Sequence, residues 1–454
     1  MNKKSELLRI TPILIILLIL LPIGAYAVQP LDDALRIGLA CYRRDTKQVT
    51  VIASSDFSII KTGSTDKLAS STNLAHITLE AGDSEIVLKR DNGATANVGT
   101  SVSVVPADPN AIIILDSPER SMQYRGVIEV SIKANALKLV NIVKLEDYIL
   151  GVVPAEMPST FPEEALKAQA IAARTYARNG EGRHKSDGYD LCDGEHCQVY
   201  GGALKERAKV TKAVLATTGM ALTHNGHLID AMYSADCGGT TQSFADSYGV
   251  NEVPYLCTVN EPSNIQHTCW EKSCTLQELA DILTKAGVQE ASGLKSVKVV
   301  KSSSSGRVIS AEITGEKAVK LISGAKLRSA LKLKSTLFTM ECQENGTLAI
   351  KGKGYGHGIG MCQMGAKALA EAPHNYTFDR ILGHYYPGTK ITPDPGVTQA
   401  PTATTDTKIS DVKRILNTQS VKIKSIPAPT KEKTPVQRNN AGIKFDVRVK
   451  APQL

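Results

Sequence analysis

The 454-residue chain lacks several features that would place it in a common class of protein. After residue 27 no apolar run approaches the length of a membrane-spanning helix. The sequence contains no internal repeat. The glycine-rich segment Lys351–Glu371 has no Gly-Lys-Ser/Thr after it, and its glycine spacing differs from the dinucleotide fingerprint. These absences exclude a repeat protein, a phosphate-loop nucleotidase and a dinucleotide-binding enzyme of the usual kind.

The central part of the chain also lacks a basic surface. The formal net charge is +8, but residues 391–454 contain 11 Lys and Arg against 5 Asp and Glu, which leaves only +2 for the remainder. No basic helix or aromatic–basic stripe precedes that tail, so we expect no nucleic-acid binding. The tail is either a solvated linker or a segment that contacts anionic wall polymer or lipid headgroups.

The first 27 residues are typical of an export signal. Lys3, Lys4 and Arg9 precede an apolar run of about a dozen residues. The segment then ends in Ala-Tyr-Ala, a small-residue cleavage site. We expect cleavage after Ala27; the alternative is an uncleaved anchor, because the run is nearly long enough to span a thin bilayer. In both cases the rest of the chain is expected in the cell wall, in the periplasm or at the outer face of the cytoplasmic membrane.

Short β-branched runs separated by Asp, Asn, Gly and Ser predict strands from Leu35 to about Val143. Helices are predicted over 160–178, 203–218 and 276–286, with a further short helix from Gly365. The sequence therefore predicts an α+β fold with a β-rich N-terminal portion, a mixed core with few helices and a disordered C-terminal tail. The predicted divisions are a signal peptide (1–27), a β-rich region (28–120), a mixed domain (121–392) and a basic Pro/Thr/Lys-rich tail (393–454).

Glu156 is the first candidate for chemistry, because it stands in the small, apolar stretch "GVVPAEMPSTFPEE". The preceding "YILGVV" predicts a strand, and Thr160 with Glu163 predicts a capping box at the start of the following helix. A partly desolvated carboxylate there would have a raised pKa and could act as a general acid near neutral pH. The alternative is a structural glutamate that accepts hydrogen bonds from backbone N–H groups at a turn.

Glycine occupies every second position from Gly352 to Gly360. In an extended segment this spacing removes the side chains from one face, so that backbone can approach a ligand or another strand closely. His357 and Gln363 are the polar groups that remain beside this face. The segment is either one wall of a substrate groove or a tightly packed, buried strand.

Four candidate metal ligands lie within fourteen residues: His184, Cys192, His196 and Cys197. Zinc takes tetrahedral ligand sets of this kind. A disulfide between Cys192 and Cys197 is the alternative in an oxidising compartment. Nine cysteines are an odd number, so in an exported chain at least one is free, metal-bound or paired between chains. Cys237, in "YSADCGGTTQS", would need a histidine beside it to act as a nucleophile, and nothing in the sequence brings one there.

Several segments, taken in order, resemble the stage II sporulation protein D family, which includes the amidase-enhancer proteins. The main ones are "LEDYILGVVPAEMPSTFPEEALKAQAIAARTYA", "YDLCDGEHCQVYGG", "YSADCGGTTQS" and "GKGYGHGIGMCQMGAKALAE". The matching segments run from about Tyr124 to Ile391, and Ala-Glu-Met-Pro followed by Gly-His-Gly-Ile-Gly-Met is specific to the family. Two residues depart from the pattern: Cys362 stands where many members have serine, and Tyr355 where tryptophan is common.

The resemblance implies a lytic transglycosylase that cleaves peptidoglycan glycan strands, stripped of their stem peptides, after N-acetylmuramic acid. It implies that 121–392 is the catalytic domain and Glu156 the acid/base. One carboxylate can suffice, because the C6 hydroxyl of the same sugar is a tethered nucleophile that closes a 1,6-anhydro ring. No other matched motif offers an equally placed Asp or Glu. Candidates for substrate binding or for orienting Glu156 are Arg174, Tyr355, His357 and Gln363.

The resemblance also implies zinc at His184, Cys192, His196 and Cys197, in a structural role because four protein ligands leave no open position. Glycan strands are the expected partner, together with an N-acetylmuramoyl-L-alanine amidase and other wall-remodelling proteins. The N-terminal segment and the tail are expected to contact membrane or wall. The alternative class is a non-catalytic amidase enhancer or wall-binding protein that stimulates a partner hydrolase.

Overall fold

The computed structural model describes residues 33–42, 45–263, 265–344 and 346–395. The predicted signal peptide and the tail from residue 396 onwards lie outside these ranges and stay predictions. The described residues form 24 strands and eight α-helices, a strand-rich α+β fold that confirms the predicted class. No helix among them is both long and apolar enough to cross a membrane.

Helices and strands are unevenly distributed along the described residues, and twelve strands precede the first helix. These strands are β1 (Ala34–Gly38), β2 (Gln48–Ala53), β3 (Phe57–Lys61), β4 (Lys67–Ser71), β5 (Ile77–Ala81), β6 (Ile86–Arg90), β7 (Thr95–Asn97), β8 (Ser101–Pro106), β9 (Ile113–Asp116), β10 (Ser121–Tyr124), β11 (Val127–Lys133) and β12 (Ala136–Lys144). The helices are α1 (Leu145–Glu156), α2 (Glu163–Asn179), α3 (Ala208–Leu215), α4 (Phe244–Tyr248), α5 (Leu276–Lys285), α6 (Gly324–Leu331), α7 (Gln363–Ala370) and α8 (Phe378–Tyr385). The later strands are β13 (Leu191–Cys192), β14 (Met220–His224), β15 (His227–Leu228), β16 (Tyr233–Ser234), β17 (Cys269–Thr275), β18 (Ser296–Ser302), β19 (Val308–Thr314), β20 (Val319–Ser323), β21 (Phe338–Cys342), β22 (Thr347–Lys353), β23 (Met361–Cys362) and β24 (Lys390–Pro393). Single 3₁₀ turns lie at Lys185–Asp187, Ala203–Lys205 and Gln289–Ala291.

Two sheets build the N-terminal half, in the strand orders β10-β9-β2-β5-β6-β7 and β13-β1-β12-β11-β8-β3-β4. The second sheet takes strands from both sides of residue 120, since β8 pairs with β11 and β1 with β12. Side chains from both regions share one hydrophobic core with α1 and α2. The predicted boundary at residue 120 therefore passes through a sheet and a core, and is not a gap between folding units.

Helix α1 corrects the prediction of a strand before Glu156. "YILGVV" is helical, and Leu145, Tyr148, Ile149 and Val152 are buried at helical spacing. A short, continuous apolar run fits a buried helix as well as a buried strand, and periodicity alone does not separate them. Glu156 is the last residue of α1, and Met157 after it has an extended backbone.

Helix α2 begins at Glu163, and the predicted capping box is absent. Pro162 is the N-cap residue and no side chain caps this end, because the helix starts later than a cap at Thr160 requires. The predicted stripe of small residues is buried, from Leu166 through Ala170 to Ala177. These side chains let α2 pack closely against α1, α3, α7 and α8.

Residues 269–353 form a second lobe with its own hydrophobic core. Its sheets have the orders β17-β22-β21 and β18-β19-β20, and helices α5 and α6 cover them. Helix α5 lies within one residue of its predicted range, and Thr275 with Glu278 closes a capping box there. The sequence did not predict this separate lobe.

The glycine-rich segment is a wound loop and not the predicted extended strand. Strand β22 ends at Lys353, and the next four alternate glycines have positive φ of 69° to 104°, which favours glycine: Gly354, Gly356, Gly358 and Gly360. A Cβ at Gly360 would collide with the carbonyl oxygen of Met232, and one at Gly358 with the guanidinium of Arg307. The glycines do allow the predicted close approach of the backbone to its neighbours. Those neighbours are residues of both lobes, against which the loop packs.

Candidate active site

A cleft of about 710 Å³ opens beside the C-terminal end of α1. Its walls come from α1, the loop after α2, the segment around β16, helix α6 of the second lobe and the glycine-rich loop. The fold thus brings together side chains from distant parts of the sequence. The predicted site residues that line the cleft are Glu156, His196, Cys197, Tyr355, His357 and Gln363.

Glu156 has a carboxyl group poised near neutral pH. Burial raises its pKa to about 7, a hydrogen bond from the Val199 N–H to Oε1 at 2.7 Å opposes that shift, and the charge of Glu195 adds to it. Its position at the C-terminus of a helix acts in the same direction, because partial negative charge gathers there. Such a group can give and accept a proton at neutral pH.

His357 faces the cleft as a neutral imidazole. Its pKa is lowered to about 4, chiefly by burial and also by the charges of Arg328 and Arg307. Nδ1 accepts the N–H of Ile359 at 3.0 Å, so the proton resides on the other nitrogen, and the ring also hydrogen-bonds the backbone of Tyr233. Both ring nitrogens are engaged by backbone, so His357 holds the loop against β16 and offers its ring surface to the cleft.

Gln363 lies on the buried side of the cleft. Its Nε2 donates to Gln169 Oε1 at 3.3 Å and so joins α7 to α2. Tyr355 lies at the rim with 48% of its surface exposed, and the Lys334 ammonium is 5.8 Å from the centre of its ring. Tyr248, 57% exposed, gives the rim a second aromatic surface.

Arg174 does not line the cleft. It is fully buried, and Nε and Nη2 donate to the two carboxylate oxygens of Glu146 at 2.7 and 2.8 Å. Nη1 donates to the carbonyl of Met220 at 3.0 Å. The guanidinium is engaged on all three nitrogens in joining α2 to α1 and β14, so Arg174 is withdrawn as a substrate-binding candidate.

The four predicted metal ligands converge at one end of the cleft. His184 Nε2 lies 3.2 Å from His196 Nδ1 and 3.4 Å from Cys197 Sγ, while His196 Nδ1 lies 3.5 Å from Cys197 Sγ and 3.8 Å from Cys192 Sγ. Four N and S ligands around one tetrahedral zinc ion are separated by about 3.3 to 3.8 Å. The donor set therefore has the dimensions and the chemistry of such a site.

The thiols and their surroundings also fit a cation. The hydrogen bond between the two thiols lowers the pKa of Cys192 and raises that of Cys197, so the pair readily provides one thiolate, the form that binds metals. Asp187 Oδ2 lies 3.4 Å from His184 Nδ1, the arrangement in which a carboxylate orients a metal-bound imidazole. Cys192 and Cys197 are both free, so the alternative disulfide is not formed in this structure.

The comparisons with known proteins identify relatives of the chain. The family model "Stage II sporulation protein" matches residues 133–224, which contain Glu156 and the Cys/His cluster. Stage II sporulation protein D of Bacillus subtilis is 33% identical over 314 residues, covering 64% of this chain and 84% of that protein. This chain belongs to the stage II sporulation protein D family.

Further relatives of this family member include stage II sporulation protein D of Bacillus amyloliquefaciens, 34% identical over 266 residues, 55% of this chain and 74% of that protein. The amidase enhancer of Bacillus subtilis is 33% identical over 291 residues, 53% of this chain and 40% of that protein. A domain of unknown function matches residues 243–360, which include the second lobe.

Sequence reasoning missed four charged residues that line the cleft of this family member: Arg183, Glu195, Asp230 and Arg328. Asp230 lies outside the segments that carry the family resemblance. Its Oδ1 is buried with no hydrogen-bond partner among the described residues, and burial raises its pKa against the charge of Arg183. Its context, "LIDAM", is as apolar as that of Glu156, so the same criterion applied along the whole chain would have found it.

Arg183 contacts Tyr176 through both its hydroxyl group and its ring. It donates to the Tyr176 hydroxyl, and its guanidinium lies 4.7 Å from the centre of that ring. Tyr176 packs edge-on against Tyr233, whose hydroxyl accepts a hydrogen bond from Gln198 at 2.9 Å. The cleft is thus lined with aromatic surface and with charged groups of both signs around Glu156.

Proposed function

We propose that this protein is a peptidoglycan lytic transglycosylase that acts outside the cytoplasm. The family relationship, with relatives named sporulation protein D and amidase enhancer, supports a cell-wall-related role. The observation that carries the enzymatic proposal is Glu156, a half-buried carboxyl group with a pKa of about 7 at the wall of a cleft. The proposed substrate is a glycan strand without stem peptides.

The proposed reaction uses Glu156 twice. Its carboxyl group protonates the glycosidic oxygen that leaves C1 of N-acetylmuramic acid, and the C1–O bond breaks. The resulting carboxylate takes the proton of the C6 hydroxyl of the same sugar while O6 bonds to C1. The 1,6-anhydro ring closes, Glu156 regains its proton and no water is consumed. A pKa near 7 suits both transfers, and the tethered hydroxyl replaces a second catalytic group.

Other residues of the cleft are proposed to hold the sugar. The unpartnered Oδ1 of Asp230 can accept a hydrogen bond from a sugar hydroxyl or acetamido N–H, which would satisfy a buried acceptor. Tyr355 and Tyr248 offer exposed aromatic surface at the rim. His357 and Gln363 are assigned to positioning the glycine-rich loop, since their contacts run to backbone and to Gln169.

We propose a structural zinc ion at His184, Cys192, His196 and Cys197. When bound, it would cross-link four side chains of the loop that follows α2. Val199, two residues after Cys197, donates the hydrogen bond that Glu156 accepts, so order in this loop also fixes the catalytic carboxyl group. Elemental analysis should find one zinc per chain, and protein purified without chelators that contains none would favour the disulfide.

The enzymatic proposal is tested by incubating the purified protein with glycan strands stripped by an amidase and analysing the products by mass spectrometry. We expect 1,6-anhydromuramic ends from the wild type and a loss of about 10²- to 10⁴-fold in Glu156→Gln, which keeps the shape of the side chain. Reducing-end muramic acid without anhydro product would identify a hydrolase instead. Full activity in Glu156→Gln would overturn the residue assignment.

The second candidate function is stimulation of an amidase, supported by the similarity to a protein named amidase enhancer. Glu156 is the feature that separates the two functions, since an enhancer does not need an acid. Binding to glycan without released fragments, combined with a faster partner amidase that Glu156→Gln stimulates equally, would favour the enhancer.

A further inference from the structure

Two buried cysteines meet beneath the cleft, apart from the Cys/His cluster. Cys237 follows β16 and Cys362 ends β23, and these two strands pair in parallel with Ser234 opposite Cys362. The Cys237 N–H donates to Cys362 Sγ at 3.3 Å, and both sulfur atoms belong to a group of side-chain atoms within 4.8 Å of one another. Both thiols are free in this structure and fully buried, although 125 residues separate them along the chain.

The surroundings of the pair hold charges of both signs. Cys237 Sγ donates to Glu261 Oε1 at 3.3 Å, and the Tyr385 hydroxyl donates to the same carboxylate at 2.9 to 3.0 Å. On the other side Arg307 Nη2 donates to the Cys237 carbonyl at 2.5 Å. Its Nε and Nη1 are buried with no hydrogen-bond partner among the described residues.

This arrangement disfavours a second metal site, although Asp236, Cys237 and Cys362 place three donor atoms close together. The Asp236 carboxylate already accepts hydrogen bonds from His267 at 2.7 Å, Thr268 at 2.6 Å and Gly238 at 2.9 Å. A divalent cation would also lie beside the buried Arg307 cation, which is costly where the dielectric constant is low. Without a metal ion, Cys237 and Cys362 are two neighbouring thiols that can react with each other.

We propose that Cys237 and Cys362 oxidise to a disulfide that joins two walls of the cleft. One partner follows the β16 segment, which supplies Ser234 and Ala235, and the other lies between His357 and α7, whose first residue is Gln363. The bond fixes the glycine-rich loop relative to β16. In the cell it depends on the proposed export of the chain, but not on the proposed chemistry of Glu156.

The chemistry requires a disulfide oxidant, either a small disulfide such as oxidised glutathione or an exported dithiol oxidase. The Cys237 thiolate attacks one sulfur of the oxidant, whose S–S bond breaks and releases the first thiol. Cys362 then loses its proton and attacks Cys237 Sγ, which releases the second thiol. The two protein thiols are oxidised to one disulfide and the oxidant is reduced to two thiols. Because both sulfurs end fully buried, the first exchange precedes closure of the core.

The direct test uses the full chain, reduced and unfolded, and then refolded with zinc in a buffer of oxidised and reduced glutathione. Free thiols are alkylated, the protein is digested without reduction and the peptides are analysed by mass spectrometry. We expect the Cys237 peptide linked to the Cys362 peptide, with Cys274, a buried thiol of the second lobe, alkylated in the same digest. Recovery of both Cys237 and Cys362 as alkylated thiols overturns the proposal, whether or not the chain is exported or active.

A second test compares the effect of reductant on Tm in matched variants. Cys362→Ser removes one sulfur but keeps the cap of α7, since Cys362 Sγ accepts the Gly365 N–H at 3.3 Å and a serine oxygen can do the same. Reductant should lower the Tm of the wild type and of Cys274→Ser by roughly 3 to 7 °C, and leave that of Cys362→Ser unchanged. An equal response of the wild type and Cys362→Ser contradicts the disulfide, and so does a metal equivalent that only Cys362→Ser loses.

Discussion

The charge on the Glu156 carboxyl group is subject to opposing influences. Burial and the end of a helix both disfavour its charge, whereas the Val199 N–H favours it. Without that N–H the pKa would be higher still, and without burial the group would be ionised at neutral pH. The resulting balance allows one residue to serve as both acid and base.

This balance has a consequence for stability. Between about pH 4.5 and 7 native Glu156 holds a proton that the unfolded chain has lost. The free energy of unfolding should therefore fall as pH rises through this window, by up to about 3 kcal/mol. Glu156→Gln lacks the titrating group and keeps an oxygen that can accept the Val199 N–H. The free energy of unfolding of this variant should therefore rise relative to that of the wild type as pH rises. Urea denaturation of both proteins at pH 4 and pH 8 measures the difference, and parallel pH profiles would show that Glu156 ionises normally.

Asp230 carries a second prediction at the level of a single residue. Asp230→Asn keeps the shape of the side chain but removes the charge, so a hydrogen bond from the sugar should weaken and KM should rise about 10- to 100-fold. The fold should not suffer, because the change removes the cost of burying a charge. Calorimetric binding of stripped glycan to variants that also carry Glu156→Gln checks the effect on affinity without turnover. Asp281→Asn on α5 is the control. An affinity of Asp230→Asn equal to that of the control would show that Asp230 does not bind the sugar.

At the scale of elements, the contacts of Arg174 indicate a framework role. Its guanidinium joins α2 to Glu146 at the start of α1 and to β14, beyond the walls of the cleft. The residues that do line the cleft reach it because α1 ends there, because the loop after α2 folds back over it, and because the glycine-rich loop closes it. Packing between α1 and α2 therefore determines where Glu156 lies.

We expect Arg174→Met to destabilise the protein by about 3 to 5 kcal/mol, because it leaves the Glu146 carboxylate without its buried partner. Adding Glu146→Gln should restore much of this loss, since both charges are then gone. Activity per folded molecule should stay close to that of the wild type in the double variant. Thermal melts and kinetics of the single and double variants measure the coupling. A fully stable Arg174→Met with a raised KM would return Arg174 to substrate binding.

The sequence predicted those elements whose pattern has one physical solution. Helix α5 has a closed capping box and a regular apolar face, and strands such as β2 and β5 lie within the region predicted to consist of strands. It failed at α1, where a fully buried apolar run fits helix and strand equally well. It also failed at the glycine-rich loop, where alternation suggested an extended chain but positive φ and close contacts explain the glycines.

The candidate site divides in the same way. Residues with distinctive chemistry in a local motif, Glu156 and the Cys/His cluster, could be found from the sequence, and the fold brings them to one cleft. Asp230 could have been found by the criterion applied to Glu156, whereas Arg328 could not be assigned, because its place in the cleft depends on two lobes meeting and no local pattern records that contact. Arg174 was placed in the site because a motif contains it, whereas its orientation follows from tertiary packing that the motif does not encode.

At the scale of the whole molecule, the seven-stranded sheet decides what can fold alone. Strands β1, β3, β4 and β8 come from before residue 120, and β11, β12 and β13 from after it. A fragment of residues 121–395 would expose the edges of β11 and β12 and the apolar side chains that now face Val102 and Val104. The N-terminal strands are therefore part of the same folding unit as the candidate site and not an appended domain.

We expect the 121–395 fragment to aggregate or to melt without cooperativity, while residues 28–395 fold, melt cooperatively and retain the cleavage activity of the full chain. Size-exclusion chromatography, circular dichroism and the glycan assay on both fragments make the comparison. The longer fragment is the matched control, because it lacks the same tail and differs only in the strands that complete the sheet. A monomeric, active 121–395 fragment would mean that β11 and β12 find sufficient partners without β8 and β1, and that the boundary predicted at residue 120 is real.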